Sequence, residues 1–300
     1  MYEKTLYFFT ACGYNAGMRG LLFLRKDPLG AVFIIYLFAI GLASLPSGQI
    51  GSLLTDDPRM ADIAGMAVCR ALAAAIMLFL YVQLGFSDAP RQRQGAAAWL
   101  SALPALLVAL NNAPVIALAT GSAVVTAEGT VVLAFALQCL FVAAFEELAF
   151  RAIMFPLLLQ RFGTGVRARF SAVLLSSALF GMTHLLNLFS GAAVGATVLQ
   201  VGYSFLIGCM LAVVLMRTGS IALCTFLHAV YNFGGTIVPT LGHGAFVDLW
   251  NFPTVVITVV LAVFALVFYT FAALREEECR VGQLCTLSAL QKFTLRGALL

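Results

Sequence analysis

The amino-acid sequence predicts an all-α membrane protein of about eight transmembrane helices, with both termini cytoplasmic. Three observations carry that expectation. Of the 300 residues, 62% are hydrophobic and only 10% charged, against roughly 25% charged in an ordinary soluble domain. The apolar runs reach the roughly 20 residues that a helix needs to cross a bilayer, without the period-two alternation of a barrel strand. Lastly, the Lys and Arg side chains gather at alternate ends of these runs. In lipid each backbone polar group must be satisfied within its own segment or a closed barrel, so such runs read as helices.

In chain order, residues 1–28 read as an N-terminal cytoplasmic or interfacial segment. Its apolar patches, Tyr7–Phe9 and Leu21–Leu24, are broken by Gly13, Gly17, Arg19 and Gly20, which does not suit a cleavable signal peptide. The membrane domain covers 29–274, with spans at about 30–46, 62–86, 97–119, 130–159, 170–189, 194–216, 220–240 and 253–274. Pro104, Asn111, Asn112 and Pro114 interrupt the third span. The fourth is long enough to tilt or to project beyond the bilayer. Residues 275–300 read as a cytoplasmic, partly amphipathic tail.

With both ends inside, every basic residue except Arg59, Arg70 and Arg151 falls on the cytoplasmic side, as the positive-inside rule requires. The net charge of +4 is then an orientation signal and implies no nucleic-acid partner. Seven cysteines are scattered without a CxxC pair and read as small hydrophobes. No internal repeat or linker divides the membrane domain.

Ionisable side chains at mid-membrane depth cost several kcal/mol unless paired, so each is a functional hypothesis. The fourth span holds Glu146, Glu147 and Arg151, the fifth His184 and the seventh His228 and Asn232. Glu147 and Arg151, four residues apart, share a helix face and can pair. Glu146 stands about 100° round the helix and is placed to act as a general base towards water. His228 and Asn232 lie one turn apart and could donate two hydrogen bonds to one oxyanion. His184 enters from a third helix and could bind the same water or a metal ion.

Each residue also has a plainer role open to it. Glu147 with Arg151 could serve only to fix helix register, and a lone intramembrane histidine often links helices. Phe180, Asn187 and Tyr231 read as packing residues, and Arg70 as structural or snorkelling. His243 falls in an outer loop with no chemical role. The conjunction, not any single position, carries the functional reading.

Glu146-Glu147-x-x-x-Arg151, Phe180-x-x-x-His184 and His228-x-x-x-Asn232, in that order on three spans, resemble the motifs of the CPBP family. This family groups type II CAAX prenyl proteases with bacteriocin-processing and self-immunity membrane proteins (the Abi domain). The resemblance covers 130–235 and implies an intramembrane endopeptidase. It implies Glu146 as activator of water, helped by His184, with Glu147 and Arg151 in support. His228 and Asn232 would stabilise the oxyanion. It leaves open a single divalent metal, zinc on Glu146, His184 and His228, or no metal at all. The implied partners are membrane lipid and a protein or peptide substrate, prenylated in the CAAX branch.

Two other readings use the same residues. A family member without activity would act as a membrane binding or immunity scaffold. A proton-coupled transporter would use buried Glu and His as a relay, but the paired, broken helices common in transporters are not visible. Little Lys beside abundant Ala, Gly and Arg points to a GC-rich bacterium and its plasma (inner) membrane.

Overall fold

The computed structural model describes residues 21, 23–86, 95–244, 252–276, 281 and 284. Most of the expected interfacial segment 1–28 and of the tail 275–300, and both chain ends, lie outside the described residues. Helix α1 (Pro28–Ala43) starts with proline at its first position, where the missing N–H costs nothing. The Asp27 side chain caps it by accepting from the Gly30 N–H at 3.2 Å. A short helix, α2 (Ser47–Ser52), leads to α3 (Pro58–Gln83). An Asp-Pro start recurs there, with Asp57 accepting from the Met60 N–H at 2.7 Å. These carboxylates satisfy backbone donors that the first helical turn leaves free.

Helix α4 (Ala96–Asn111), the short α5 (Val115–Thr120) and strand β1 (Ala123–Val125) follow. Helix α6 (Gly129–Glu147) then continues through a π-helical stretch, Leu148–Met154, into α7 (Phe155–Phe162). Together they make one rod of 34 residues. Helix α8 (Val166–Thr183) ends in a 3-10 turn, His184–Leu188. Helices α9 (Val194–Thr218) and α10 (Ile221–Leu241) come next. Strand β2 (Gly242–Gly244) pairs antiparallel with β1, and α11 (Phe252–Arg275) is the last helix described.

Among the described residues, seven helices are long and apolar enough to cross a membrane. The chain is an all-α, multi-pass membrane protein. The expected span at 97–119 is where structure and sequence differ. It divides into α4, of 16 residues, and the short α5. A helix of that length rises about 24 Å, less than the ~30 Å hydrocarbon core. Pro114 disfavours a helical residue before it, and the chain turns at Asn112. The Asn112 amide donates to the Tyr231 carbonyl at 2.8 Å, tying this break to α10. Within α4, Pro104 is buried. Beside it the Tyr269 hydroxyl of α11 enters the helix ladder, accepting from the Ala105 N–H at 3.1 Å and donating to the Ser101 carbonyl at 3.4 Å.

Charge gathers at one end of the bundle. Arg25 donates to the Leu84 carbonyl at 2.6 Å. Arg169, at the start of α8, donates to the Ala273 and Glu276 carbonyls at 3.0 and 2.7 Å. Arg217, at the end of α9, pairs with Glu276 at 3.7 Å. The β1–β2 ribbon closes the opposite end, beyond α10.

Helices α8 and α9 approach at glycines. A Cβ on Gly181 would lie 2.8 Å from the Val201 carbonyl oxygen. One on Gly208 would lie 2.9 Å from both Arg151 Nη2 and Ser177 Cβ. Small residues at such crossings let helices pack closely where lipid supplies no hydrophobic drive. Gly208→Val should cost about 1–3 kcal/mol by overpacking. Its melting temperature in detergent should fall by several degrees, whereas Gly202→Val, which meets open space, should leave it near wild type.

Candidate active site

The site lies where the α6–α7 rod meets α8 and α10. Glu146 and Glu147 are the last residues of α6, and Arg151 is the middle residue of the π-helical stretch. All seven residues of that stretch are buried. Its wider turn is marked by the Phe155 N–H bonding the Phe150 carbonyl, five residues back. Single π turns inside α-helices commonly coincide with functional sites. Here the turn carries a guanidinium into the interior.

Glu147 is the hub. Its side chain is fully buried, and Oε1 lies 3.1 Å from Nη1 of the equally buried Arg151. The same oxygen lies 2.8 Å from Nδ1 of His228, which reaches in from α10. A carboxylate paired with a guanidinium accepts and does not donate. His228 therefore carries a proton on Nδ1, leaving Nε2 to face the other carboxylate. Nε2 lies 3.5 Å from Oε2 of Glu146, whose side chain remains 18% exposed. One imidazole thus bridges two adjacent carboxylates, one sealed and one accessible.

Phe180 joins the remaining parts. Its buried ring meets the His184 ring edge-on with centroids 5.3 Å apart, and the His228 ring at 5.6 Å. The Arg151 guanidinium lies 4.3 Å from the ring centre, a cation–π contact. One benzene ring therefore positions both histidines and the buried cation. His184 is the first residue after α8, and its Nδ1 lies 3.3 Å from the Phe180 carbonyl. A carbonyl only accepts, so this bond puts the proton on Nδ1 and leaves Nε2 with its lone pair.

Asn232 lies one turn beyond His228 and is half-buried. Among the described residues its side chain makes no hydrogen bond, so the amide is available to a ligand. The remaining candidates take other places. Asn187 donates to Gln200 at 2.8 Å, tying the 3-10 turn to α9. Tyr231 packs on Tyr203 with centroids 6.2 Å apart. Both agree with a packing role. His243 sits in β2, opposite Val124, at the end of the bundle beyond α10.

The donor set expected for zinc is not assembled. Among the described residues, no three His, Cys, Asp or Glu side chains form a group that could hold a metal ion. Glu146 and His228 face each other at ion-pair distance, and His184 turns one ring nitrogen to its own helix.

Residues 128–234 match the family model described as type II CAAX prenyl endopeptidase Rce1-like. The match spans 107 of the 300 residues, 128 to 234 inclusive. It contains all six motif residues, from Glu146 to Asn232. Neither the curated proteins nor the solved structures yield a match to the chain. The Rce1-like segment is the part of the fold that carries the polar cluster, and its family is one of proteases.

Two contributors carried no functional signal of their own in the sequence. Phe180 is one of 25 phenylalanines, marked only by its spacing to His184. Arg70, on α3, lies over the Phe145 ring with its guanidinium carbon 5.6 Å from the centroid. Breaking a buried ion pair by removing one partner costs about 3–5 kcal/mol. Glu147→Ala should therefore destabilise the folded protein by that order in a detergent–denaturant titration. The paired change Glu147→Leu with Arg151→Met should recover much of the loss.

Proposed function

We propose that this chain is an intramembrane endopeptidase whose active base is Glu146, acting on a protein or peptide that reaches the site from the membrane. The observation that supports it most is the unequal pair of carboxylates on one imidazole, Glu147 sealed against Arg151 and Glu146 open to a ligand. In this reading Glu146 takes a proton from water as the water oxygen attacks the peptide carbonyl carbon. The His184 Nε2 lone pair orients the same water. The carbonyl oxygen becomes an oxyanion and accepts hydrogen bonds from the His228 ring and from the Asn232 amide. Glu147 accepts from His228 Nδ1–H throughout and holds the ring. Collapse of the intermediate breaks the C–N bond, and protonated Glu146 returns its proton to the leaving amine. Every proton is accounted for within the cluster.

The match over residues 128–234 supports a substrate of the CAAX class, with a lipidated cysteine near its C-terminus. The composition favours a bacterial plasma membrane as the setting. A binding or immunity scaffold would need the same fold without the water chemistry, so the test turns on the base. A fluorogenic peptide bearing a farnesylated cysteine and three further residues is the probe. Glu146→Gln should lower its cleavage at least 100-fold, in line with the loss of a general base, while the variant elutes in detergent as the wild type does. Cleavage at the wild-type rate by Glu146→Gln would remove the proposed base.

The mechanism asks nothing of a bound ion. Activity should persist after the protein is passed through a strong chelator, and zinc added back should not raise it. Loss on chelation with recovery on zinc addition would instead assign His184, His228 and Glu146 to a metal.

A further inference from the structure

Arg70 is a cation in the interior of α3, and a charge at that depth calls for a partner. Two backbone groups account for part of it. Nη1 donates to the Leu42 carbonyl at 3.2 Å and Nη2 to the Ala43 carbonyl at 2.9 Å, both at the C-terminal end of α1. A guanidinium has five N–H groups, so three remain. Among the described residues Arg70 forms no ion pair within 4 Å, in contrast to Arg151 and Arg217. Its side chain is only half-buried, and it stacks over Phe145, the neighbour of the proposed base. The arrangement is a fixed, partly open cation beside the reacting centre with donor capacity left over.

Resting on the proposed peptidase activity, we infer that Arg70 binds the free α-carboxylate of the peptide substrate on the leaving side of the scissile bond. Three residues of extended chain span roughly 10 Å. A peptide cut at Glu146 a few residues from its end would hold its terminal carboxylate within that reach, and Arg70, stacked on the residue before Glu146, is a half-buried cation beside it. Arginine suits this role because its planar fork matches a carboxylate and it stays charged at any working pH. Anchoring on two carbonyls holds the fork still before substrate arrives, which limits the ordering cost of binding. A peptide lacking the carboxylate would leave the cation unmatched in an apolar setting, which is costly.

The test uses the full-length protein in detergent and three versions of the farnesylated probe. One ends in a free carboxylate, one in a carboxamide, and one in a carboxamide with aspartate as its last residue. The wild type should cleave the acid at least about tenfold faster than the amide in kcat/KM, the size of a lost charge-assisted contact. Most of the difference should lie in KM. Arg70→Gln, which keeps a polar side chain without the charge, should cut the acid and amide at nearly equal rates, and Arg70→Lys should restore part of the preference. Aspartate should not replace the terminal carboxylate. Equal cleavage of acid and amide by the wild type overturns the assignment while the peptidase stands, as does a preference unchanged in Arg70→Gln. A preference met equally by the aspartate probe would overturn the α-carboxylate in favour of a side chain. Cleavage of no probe by the wild type would instead count against the peptidase reading itself.

Discussion

Between an imidazole from α10 and a guanidinium from its own rod, the Glu147 carboxylate has no route to water, and the rest of the site is arranged around that constraint. A buried carboxylate in this setting must be matched in charge and hydrogen bonding or it will not stay ionised and ordered. Arg151 supplies the charge at 3.1 Å and His228 the hydrogen bond at 2.8 Å. The pairing orients His228 by its Nδ1, which leaves the opposite nitrogen aimed at Glu146. Second carboxylates that hold a histidine in one tautomer and orientation are a recurring device in catalysis. In this fold the holder and the reacting group are adjacent residues, separated only by their angle round the helix.

Getting a guanidinium to that depth takes help from the backbone. The π-helical stretch Leu148–Met154 widens the rod where Arg151 sits, and Gly208 on the facing helix vacates the volume that a side chain would fill. Phe180 covers the guanidinium with its ring face and stands nearly perpendicular to both histidine rings. Arg151 nitrogens are left without hydrogen bonds among the described residues, so the ion pair and the ring carry the compensation. Such a cluster costs stability that an apolar core would not.

Much of this was legible in the sequence. Long apolar runs revealed the helices because lipid permits few alternatives. The i,i+4 spacings of Glu147 with Arg151 and of Phe180 with His184 placed each pair on one face. Other features depend on tertiary contact. That His228 bonds Glu147 as well as facing Glu146 follows from how α10 packs, which no spacing within α10 encodes. The π turn leaves no residue signature in Leu148–Met154. The third span looked long because α4 and α5 are both apolar, and the turn at Asn112–Pro114 divides them. The partners of Arg70 are not legible from spacing because Leu42 and Ala43 lie on another helix.

The central claim is that Glu147 fixes the proton on Nδ1 of His228 and so turns Nε2 towards Glu146. With only three histidines in the chain, nitrogen-15 NMR of histidine-labelled protein in lipid can resolve each ring, with His228→Gln assigning the signal. The account predicts a protonated Nδ1 on His228, hydrogen-bonded to a carboxylate, whose signal moves on Glu147→Gln. A His228 ring with bare Nδ1, or one indifferent to Glu147→Gln, would contradict it.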